Sequence, residues 1–378
     1  MSMIKIGIYC LDQDASSTST LGVYNYTRRI ISAMARRENP GVQVVLWLAE
    51  ANEKDFRPKI LPEWMKVKCF KGSFGTGIKR IWADHFLGCV LPLFDKVDVV
   101  HYPKGWMPLC SPGNARIIVS LHDTIPLYYR ENYPGYMSSL KTAYFNWNIL
   151  HSLRKADSLI SGTNTSAREL IALNKEAASR MVVIPSGWIE LQDGLSNEER
   201  DGLLVVGSRA PHKATAETLQ LLNNYAAGKG SQLKITVTGL SGWSDLGDVG
   251  TYSALKVDFS GKVSDERFCE LMRSCRALIH LSRIEGFGLP VLEAYSHNTP
   301  VCYRKASSLA EILEGIPGGW DGKDNTTFSS ALNEVLAMTS GEVNEIKMRL
   351  AERYNETRIV DSLFALYKDC STEAQART

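Results

Sequence analysis

The feature that most constrains this chain is an alternation that occurs twice. Short apolar runs of buried-strand length alternate with helical patterns on either side of a polar break. The first series runs Ile4 to Tyr9, Val42 to Leu48, Val97 to Tyr102, Ile117 to Leu121, Leu159 to Ser161 and Val182 to Pro185. Within it, Val23, Tyr26, Ile30 and Met34 recur at helical spacing, leaving Arg28, Arg29, Arg36 and Arg37 for solvent. Such alternation predicts a parallel sheet with helices on both faces. The polar segment IELQDGLSNEER, residues 189–200, interrupts it, and a fresh run from Gly202 to Gly207 opens a second series. That series continues through Leu233 to Val237, the run around Phe259, Ala277 to Leu281 and Pro300 to Tyr303. A length of 378 residues also exceeds what one core usually serves. The expectation is an α/β chain of two domains over residues 1–188 and 201–355, joined by a linker at 189–200. Residues 356–378 form a last helix and a polar tail, and the helix could pack back on the N-terminal domain. Two such domains would form a cleft between the carboxyl ends of their sheets, where ligands of these folds bind.

A formal net charge of +2 argues against a dedicated nucleic-acid binder, whose basic surface should show in the balance. No apolar run approaches the roughly 20 residues of a membrane span. The amino terminus, MSMIKIGIYCLDQD, begins as a strand and lacks the apolar core and cleavage site of a secretory signal. The eight cysteines are scattered without a CxxC pair, and Cys89 and Cys302 lie in apolar runs, as reduced packing residues do. A cytoplasmic protein is expected. The first strand leads into LDQDASSTSTLG and not into a GxGxxG loop, which argues against a nicotinamide dehydrogenase.

Chemistry concentrates in EGFGLPVLE, residues 285 to 293, between the runs Ala277 to Leu281 and Pro300 to Tyr303. Pro290 suits the first turn of a helix, and Gly286 and Gly288 permit a tight loop before it. The stretch reads as strand, glycine loop, helix and strand. The loop N–H groups and the positive end of the helix dipole favour an anion such as phosphate. Glu293, expected in the first helical turn near Glu285, suits paired sugar hydroxyls better than phosphate. Taken alone, an equal reading makes Glu293 a dipole partner and the glycines mere turn residues.

The wider pattern resembles the family-four glycosyltransferases of the GT-B fold, which build glycans from nucleotide-activated sugars. In the second half the resemblance rests on VVGSRAPHKA (205 to 214), FSGKVSDERFCELMRSCRALIHLSRIEGFGLPVLEA (259 to 294) and TPVCYRKASSLAEI (299 to 312). In the first half it rests on LGVYNYTRRI (21 to 30), DVVHYP (98 to 103), SLHDTIPLYYRENYP (120 to 134), LISGTNTSARELI (159 to 171) and VIPSGW (183 to 188). It implies two Rossmann-like domains facing across a cleft. It also implies that Glu293 accepts from the nucleotide ribose, that Glu285 lies beside the donor sugar, and that backbone N–H groups of Gly286, Phe287, Gly288 and Leu289 contact sugar and phosphate.

Lys213 would neutralise the diphosphate, whose negative charge grows as the anomeric bond breaks. No metal and no resident cofactor is then required, because Lys213, Arg209 and the helix amino terminus supply positive charge. The chain departs from the family at one point. Ser208 stands where many members carry an arginine, and Arg209 follows it, so Arg209 or His212 would share the phosphate contact. In the first half, His122 and Asp123 match a family HD pair, with the histidine facing donor and acceptor across the cleft. Gly22, at the first strand-to-helix turn, would let the backbone approach a ligand or the facing domain. His101 reads as a hydrogen-bonded structural histidine, and His85, His151, His280 and His297 as packing or surface residues.

The resemblance further implies retention of anomeric configuration and bacterial transferases that add mannose to surface polysaccharide such as O-antigen. The co-substrate would be a nucleotide diphosphate sugar, GDP-mannose by preference. The acceptor would be a saccharide or lipid-linked saccharide. Residues 70–94 mix Lys71, Lys79 and Arg80 with Trp82, Phe86 and Leu87. They read first as a core helix with a solvated edge, and second as a surface for anionic lipid, giving peripheral contact at the inner face of the cytoplasmic membrane. Two alternatives stand beside the transferase: a nucleotide-sugar epimerase of the same architecture, which needs acid and base groups for proton transfer, and a sugar-nucleotide-binding protein without turnover.

Overall fold

A computed structural model describes residues 3–13, 21–191, 200–247 and 252–375. Most of the polar segment at 189–200, the first strand-to-helix turn and the end of the polar tail therefore lie outside the described residues. The chain divides into two compact units, Met1–Ser186 with Glu356–Thr378, and Gly187–Asn355.

The first unit is built on seven parallel strands: β1 (Ile4–Tyr9), β2 (Val42–Ala49), β3 (Met65–Phe70), β4 (Val99–Tyr102), β5 (Arg116–Ser120), β6 (Ser158–Ser161) and β7 (Met181–Val183). Their order is β3-β2-β1-β4-β5-β6-β7. The second unit has six: β8 (Leu203–Val206), β9 (Leu233–Thr238), β10 (Leu255–Gly261), β11 (Ala277–His280), β12 (Val301–Arg304) and β13 (Gly319–Trp320), in the order β10-β9-β8-β11-β12-β13. Both orders reverse direction once, between β1 and β4 and between β8 and β11. Adjacent crossovers leave in opposite directions there, and the carboxyl ends of the strands open a crevice.

β4, β8 and β11 are almost wholly buried, and β1 is buried from Ile6 onward, which explains their largely apolar runs. β3 carries the alternating MKVKCF, whose lysines suit a sheet edge. It lies outside the apolar runs read from sequence, as does the two-residue β13.

The last helix, Glu356–Gln375, belongs to the first unit. It buries Ile359, Val360, Leu363, Phe364 and Tyr367, and Arg36 and Arg37 pair with its Glu356 and Asp361. The Tyr367 hydroxyl meets His101 Nδ1 at 2.8 Å, and His101 Nε2 meets Ser120 Oγ at 2.8 Å. Both ring nitrogens of this buried histidine are thus satisfied. Burial draws its pKa down to about 3, with nearby His122 adding to the effect. His101 is a neutral structural residue.

The core-helix reading of residues 70–94 holds for Gly88–Asp95, which packs Leu91 into the core of the first unit, and is corrected for Gly77–Trp82. The segment forms a helix over Gly77–Trp82, a π-helical turn over Ala83–Leu87 and a helix over Gly88–Asp95. The first of these buries no residue. Inward packing is confined to the later part, where Ala83, Asp84, Cys89 and Leu91 are buried. Asp84 holds Lys104, which also pairs with Asp12 Oδ2 at 2.5 Å.

Gly7, in the middle of β1, is required by its neighbour. A Cβ there would overlap the ring of Trp47 on β2, which is anchored through Nε1 to Asp95 Oδ2 at 2.8 Å. Gly7→Ala should therefore destabilise the first unit by about 1–3 kcal/mol, the usual cost of overpacking. Trp47→Leu should cost less in the Gly7→Ala background than in wild type, because the two changes act on one space. Urea unfolding of both variants and the double variant checks this; a Gly7→Ala midpoint equal to wild type would refute the packing argument.

Candidate active site

In the second unit the loops after β8 and β11 meet at the crevice. β8 runs into Ser208-Arg-Ala-Pro-His-Lys213, and Thr215 closes this loop on itself. Its Oγ1 accepts from the Ser208 N–H and donates to the Ser208 carbonyl, both at 3.0 Å. The Ser208 hydroxyl accepts from the Ala210 N–H at 3.1 Å. Ser208 is thus a turn former in this chain. The two loops are bound directly, since the Arg283 N–H donates to the His212 carbonyl at 2.7 Å.

The contact that organises the site is ionic. Lys213 Nζ donates to Glu285 Oε1 at 2.6 Å, and His280 Nε2 lies 3.0 Å from the same oxygen. An ionised carboxylate only accepts, so His280 carries its proton on Nε2. Glu285 is 8% exposed and His280 2%. Burial would raise the Glu285 carboxyl, but the Lys213 ammonium and the His280 hydrogen bond outweigh it and hold the group well below the ordinary value of 4.5. Beside them, burial and then the Lys213 charge push His212 down to about 4. His212 is therefore neutral near pH 7, and the cationic side chain that reaches Glu285 is Lys213. The ammonium has three donors, and Glu285 takes one.

The glycine loop is held from behind. The Ser307 hydroxyl donates to the Glu285 carbonyl at 3.0 Å, and that of Ser308 donates to the Gly286 carbonyl at 2.9 Å. Gly288 has φ +98°, and a Cβ there would lie 2.7 Å from Leu309 Cδ2, so this position demands glycine. Phe287 turns inward against Tyr354, ring centroids 5.8 Å apart, leaving the backbone as the loop's polar surface. The helix that follows is Leu289–Ser296, with Pro290 in its first turn. Glu293 is its fifth residue, half-buried. That corrects the first-turn placement, because the helix begins at Leu289.

Arg209 is tied elsewhere. Its guanidinium pairs with Asp245, after β9, and its side chain is 74% exposed. In the first unit, His122 follows β5 and donates from Nε2 to the Pro103 carbonyl at 2.6 Å, with the Tyr26 ring edge-on at 4.8 Å. Burial lowers its pKa, against the opposing pull of that carbonyl. Asp123 Oδ1 accepts from the Ile125 N–H at 3.0 Å, opening the helix Ile125–Asn132. Gly22 is the second residue of the helix Leu21–Ala35, and a Cβ on it would meet nothing within 4 Å.

Sequence reasoning assigned His280 to packing, yet it touches Glu285. The signal was its place as last residue of β11, five before the glutamate. Also missed was Glu217, which accepts from Arg283 Nη2 at 2.8 Å and forms an ion pair with Arg304 at 2.8 Å. It fixes the strand ends on either side of the glycine loop.

Residues 21–188 match the family model of Glycosyltransferase Family 4, and residues 188–346 match that of Glycosyl transferases group 1. Among curated relatives is an O-antigen chain mannosyltransferase B from Escherichia coli, 26% identical over 232 residues. The match covers 57% of this chain and 59% of that one, so it spans about three fifths of the relative. A solved sucrose-phosphate synthase from Thermosynechococcus elongatus superposes with a TM-score of 0.68 at 16% identity, over 97% of this chain and 98% of that one. Anabaena Alr3699/HepE in complex with UDP-glucose gives 0.63 at 15% identity, over 97% and 99%. At such identities the two structures speak for the fold, a pair of parallel-sheet α/β domains of GT-B type. With a Family 4 domain leading into a group 1 domain, the chain belongs to the family-four glycosyltransferases.

Proposed function

We propose that the protein is a retaining glycosyltransferase that moves a hexose, mannose by preference, from a nucleotide diphosphate sugar to a saccharide or lipid-linked saccharide acceptor. The observation that carries this is the Lys213–Glu285–His280 cluster beside the glycine loop at the β8/β11 crevice. GDP-mannose is the preferred donor, in keeping with the mannosyltransferase relative. Bacterial surface-polysaccharide synthesis, in the cytoplasm and at the inner face of its membrane, is the setting that suits such an acceptor.

In this reading the diphosphate lies at the amino end of the helix Leu289–Ser296, against the N–H groups of the loop Gly286 to Leu289. Its charge rises as the sugar departs, and the two remaining Lys213 donors meet it. Glu285, kept ionised, orients the lysine and accepts from a sugar hydroxyl. Glu293 accepts from the ribose. His122, neutral and fixed by Pro103, hydrogen-bonds on the acceptor side with Asp123. The acceptor oxygen forms a bond to the anomeric carbon on the face from which the phosphate leaves. The carbon–oxygen bond to phosphate breaks, and the departing phosphate oxygen takes the acceptor's proton. The protein contributes orientation and charge stabilisation without a covalent intermediate, and its own cations serve in place of a metal.

The decisive experiment offers a panel of GDP-, UDP- and dTDP-sugars with saccharide acceptors in excess EDTA, with products read by mass spectrometry and anomeric NMR. A new glycosidic bond of retained configuration, formed from GDP-mannose without metal, is expected. Inversion, an epimerised donor without transfer, or activity that returns only with magnesium or manganese would overturn the corresponding part.

Lys213→Met should lower kcat more than donor affinity, by about 2.7–4 kcal/mol in barrier height, because its charge is aimed at developing charge. It should also move the pH profile. The depressed Glu285 pKa means the pair is intact above 4.5 and is lost as pH falls through the depressed value. With the cation removed, burial raises the carboxyl, so an acid limb should appear at higher pH than in wild type. A wild-type single-turnover rate at saturating donor would remove Lys213 from this role.

Glu293→Ala should act differently, raising KM with little change in kcat, since ribose contacts are present in ground and transition states alike. Calorimetry with the free nucleoside diphosphate checks this; unchanged affinity would contradict the assignment.

A further inference from the structure

The segment Gly77–Asp95 presents an apolar row to solvent. Ile78 is 85% exposed and Phe94 80%, and Ile81, Trp82, Phe86 and Leu93 are about half exposed. Ile78, Trp82 and Phe86 follow at intervals of four and so share one side of the helical segment. The Trp82 and Phe86 rings stack with centroids 5.4 Å apart and planes at 24°, and Phe74 also stacks with Trp82, at 6.5 Å. A neighbouring helix, Ser139–Lys155, is tied to this segment by the contact of His85 Nε2 with the Tyr144 hydroxyl at 3.0 Å. That helix exposes Leu140 and Trp147.

The charges on this segment are sorted. Its acids, Asp84 and Asp95, are both buried, held by Lys104 and Lys68 respectively. Lys79 and Lys96 are exposed, and among the described residues they enter no ion pair. The wider chain follows the same sign: residues 1–188 hold 23 Lys and Arg against 15 Asp and Glu. Exposed aromatic and aliphatic side chains with unpaired lysines and no exposed acid fit the headgroup region of an anionic bilayer, where aromatic rings and lysine stems are both accommodated. A second copy of this chain fits less well, because a two-fold contact would bring like-charged lysines together without an acid between them.

We propose that the face formed by Gly77–Asp95 and the exposed side of Ser139–Lys155 is a peripheral docking surface for an anionic lipid bilayer. Among the described residues no helix is long and apolar enough to cross a membrane. Docking stands apart from sugar transfer, because it is measured without donor or acceptor and can succeed or fail independently of that activity.

The test is co-sedimentation of the full chain with vesicles of phosphatidylethanolamine containing one part in three of phosphatidylglycerol, beside purely phosphatidylcholine vesicles, at two salt concentrations. The wild-type chain should partition to the anionic vesicles, less so at high salt. Ile78→Ser with Phe86→Ser should weaken partitioning by at least about tenfold through lost apolar burial. Lys79→Glu should weaken it by roughly tenfold through charge. The side chain of Lys79 is exposed, so this second variant should keep the wild-type thermal midpoint and remain informative even if the double variant folds poorly. No wild-type partitioning would overturn the proposal, as would variants that bind like wild type. A wild-type dimer that the Ile78/Phe86 variant dissociates, without vesicle binding, would assign the face to a second copy instead.

Discussion

The constraint on which the rest of this structure depends is that parallel strands need crossovers. Each crossover carries the chain back over a face of the sheet, so both faces are covered and every strand ends on the same edge. That edge cannot be sealed by hydrogen bonding along the sheet. Where the strand order reverses, helices leave on opposite faces, and the loops between them are free to carry chemistry. At β8 and β11 those loops are Ser208–Ala214 and Leu281–Gly288, and their junction through Arg283 and His212 makes them one body.

A carboxylate as buried as Glu285 would ordinarily be neutral, since desolvation disfavours charge. It stays ionised because Lys213 and His280 converge on one oxygen. Each partner comes from a different piece of backbone: the lysine from the loop after β8, the histidine from the end of β11, and the glutamate from the loop beyond it. The ion pair is therefore also a gauge of whether two neighbouring strands are in register. Placing a carboxylate beside the lysine also lowers the cost of keeping a cation at a buried strand end, while leaving ammonium donors for another anion.

Much of the fold was legible. The runs at Gly202–Gly207 and Ala277–Leu281 contain the strands β8 and β11, because strands buried on both faces read as near-continuous apolar runs. β3 was not legible in that way, since an edge strand alternates lysine with apolar residues and hides among surface segments. At the site, the glycine loop could be picked out because special backbone geometry leaves marks in sequence, whereas Lys213 was reached through the family resemblance. His280 could not, as a histidine inside an apolar run resembles any packed ring until its partner is known. The Arg209 pairing with Asp245 escaped for a similar reason: the aspartate lies 36 positions away, beyond any local pattern. Residues 77–82 were misjudged because a short amphipathic pattern does not reveal whether its apolar side has anything to pack against.

The return of the last helix to the first unit bears on how the molecule is made. The seven strands of the first unit are synthesised before the second unit, but Tyr367 and its neighbours follow it. Until they do, the apolar surface that receives Ile359, Leu363 and Phe364 stays wet and His101 Nδ1 lacks its hydroxyl partner. The second unit, contiguous in the chain, has no such wait. Completion of the first unit thus waits on synthesis of the second, and a helix that follows the second unit is the closing piece of a sheet that precedes it.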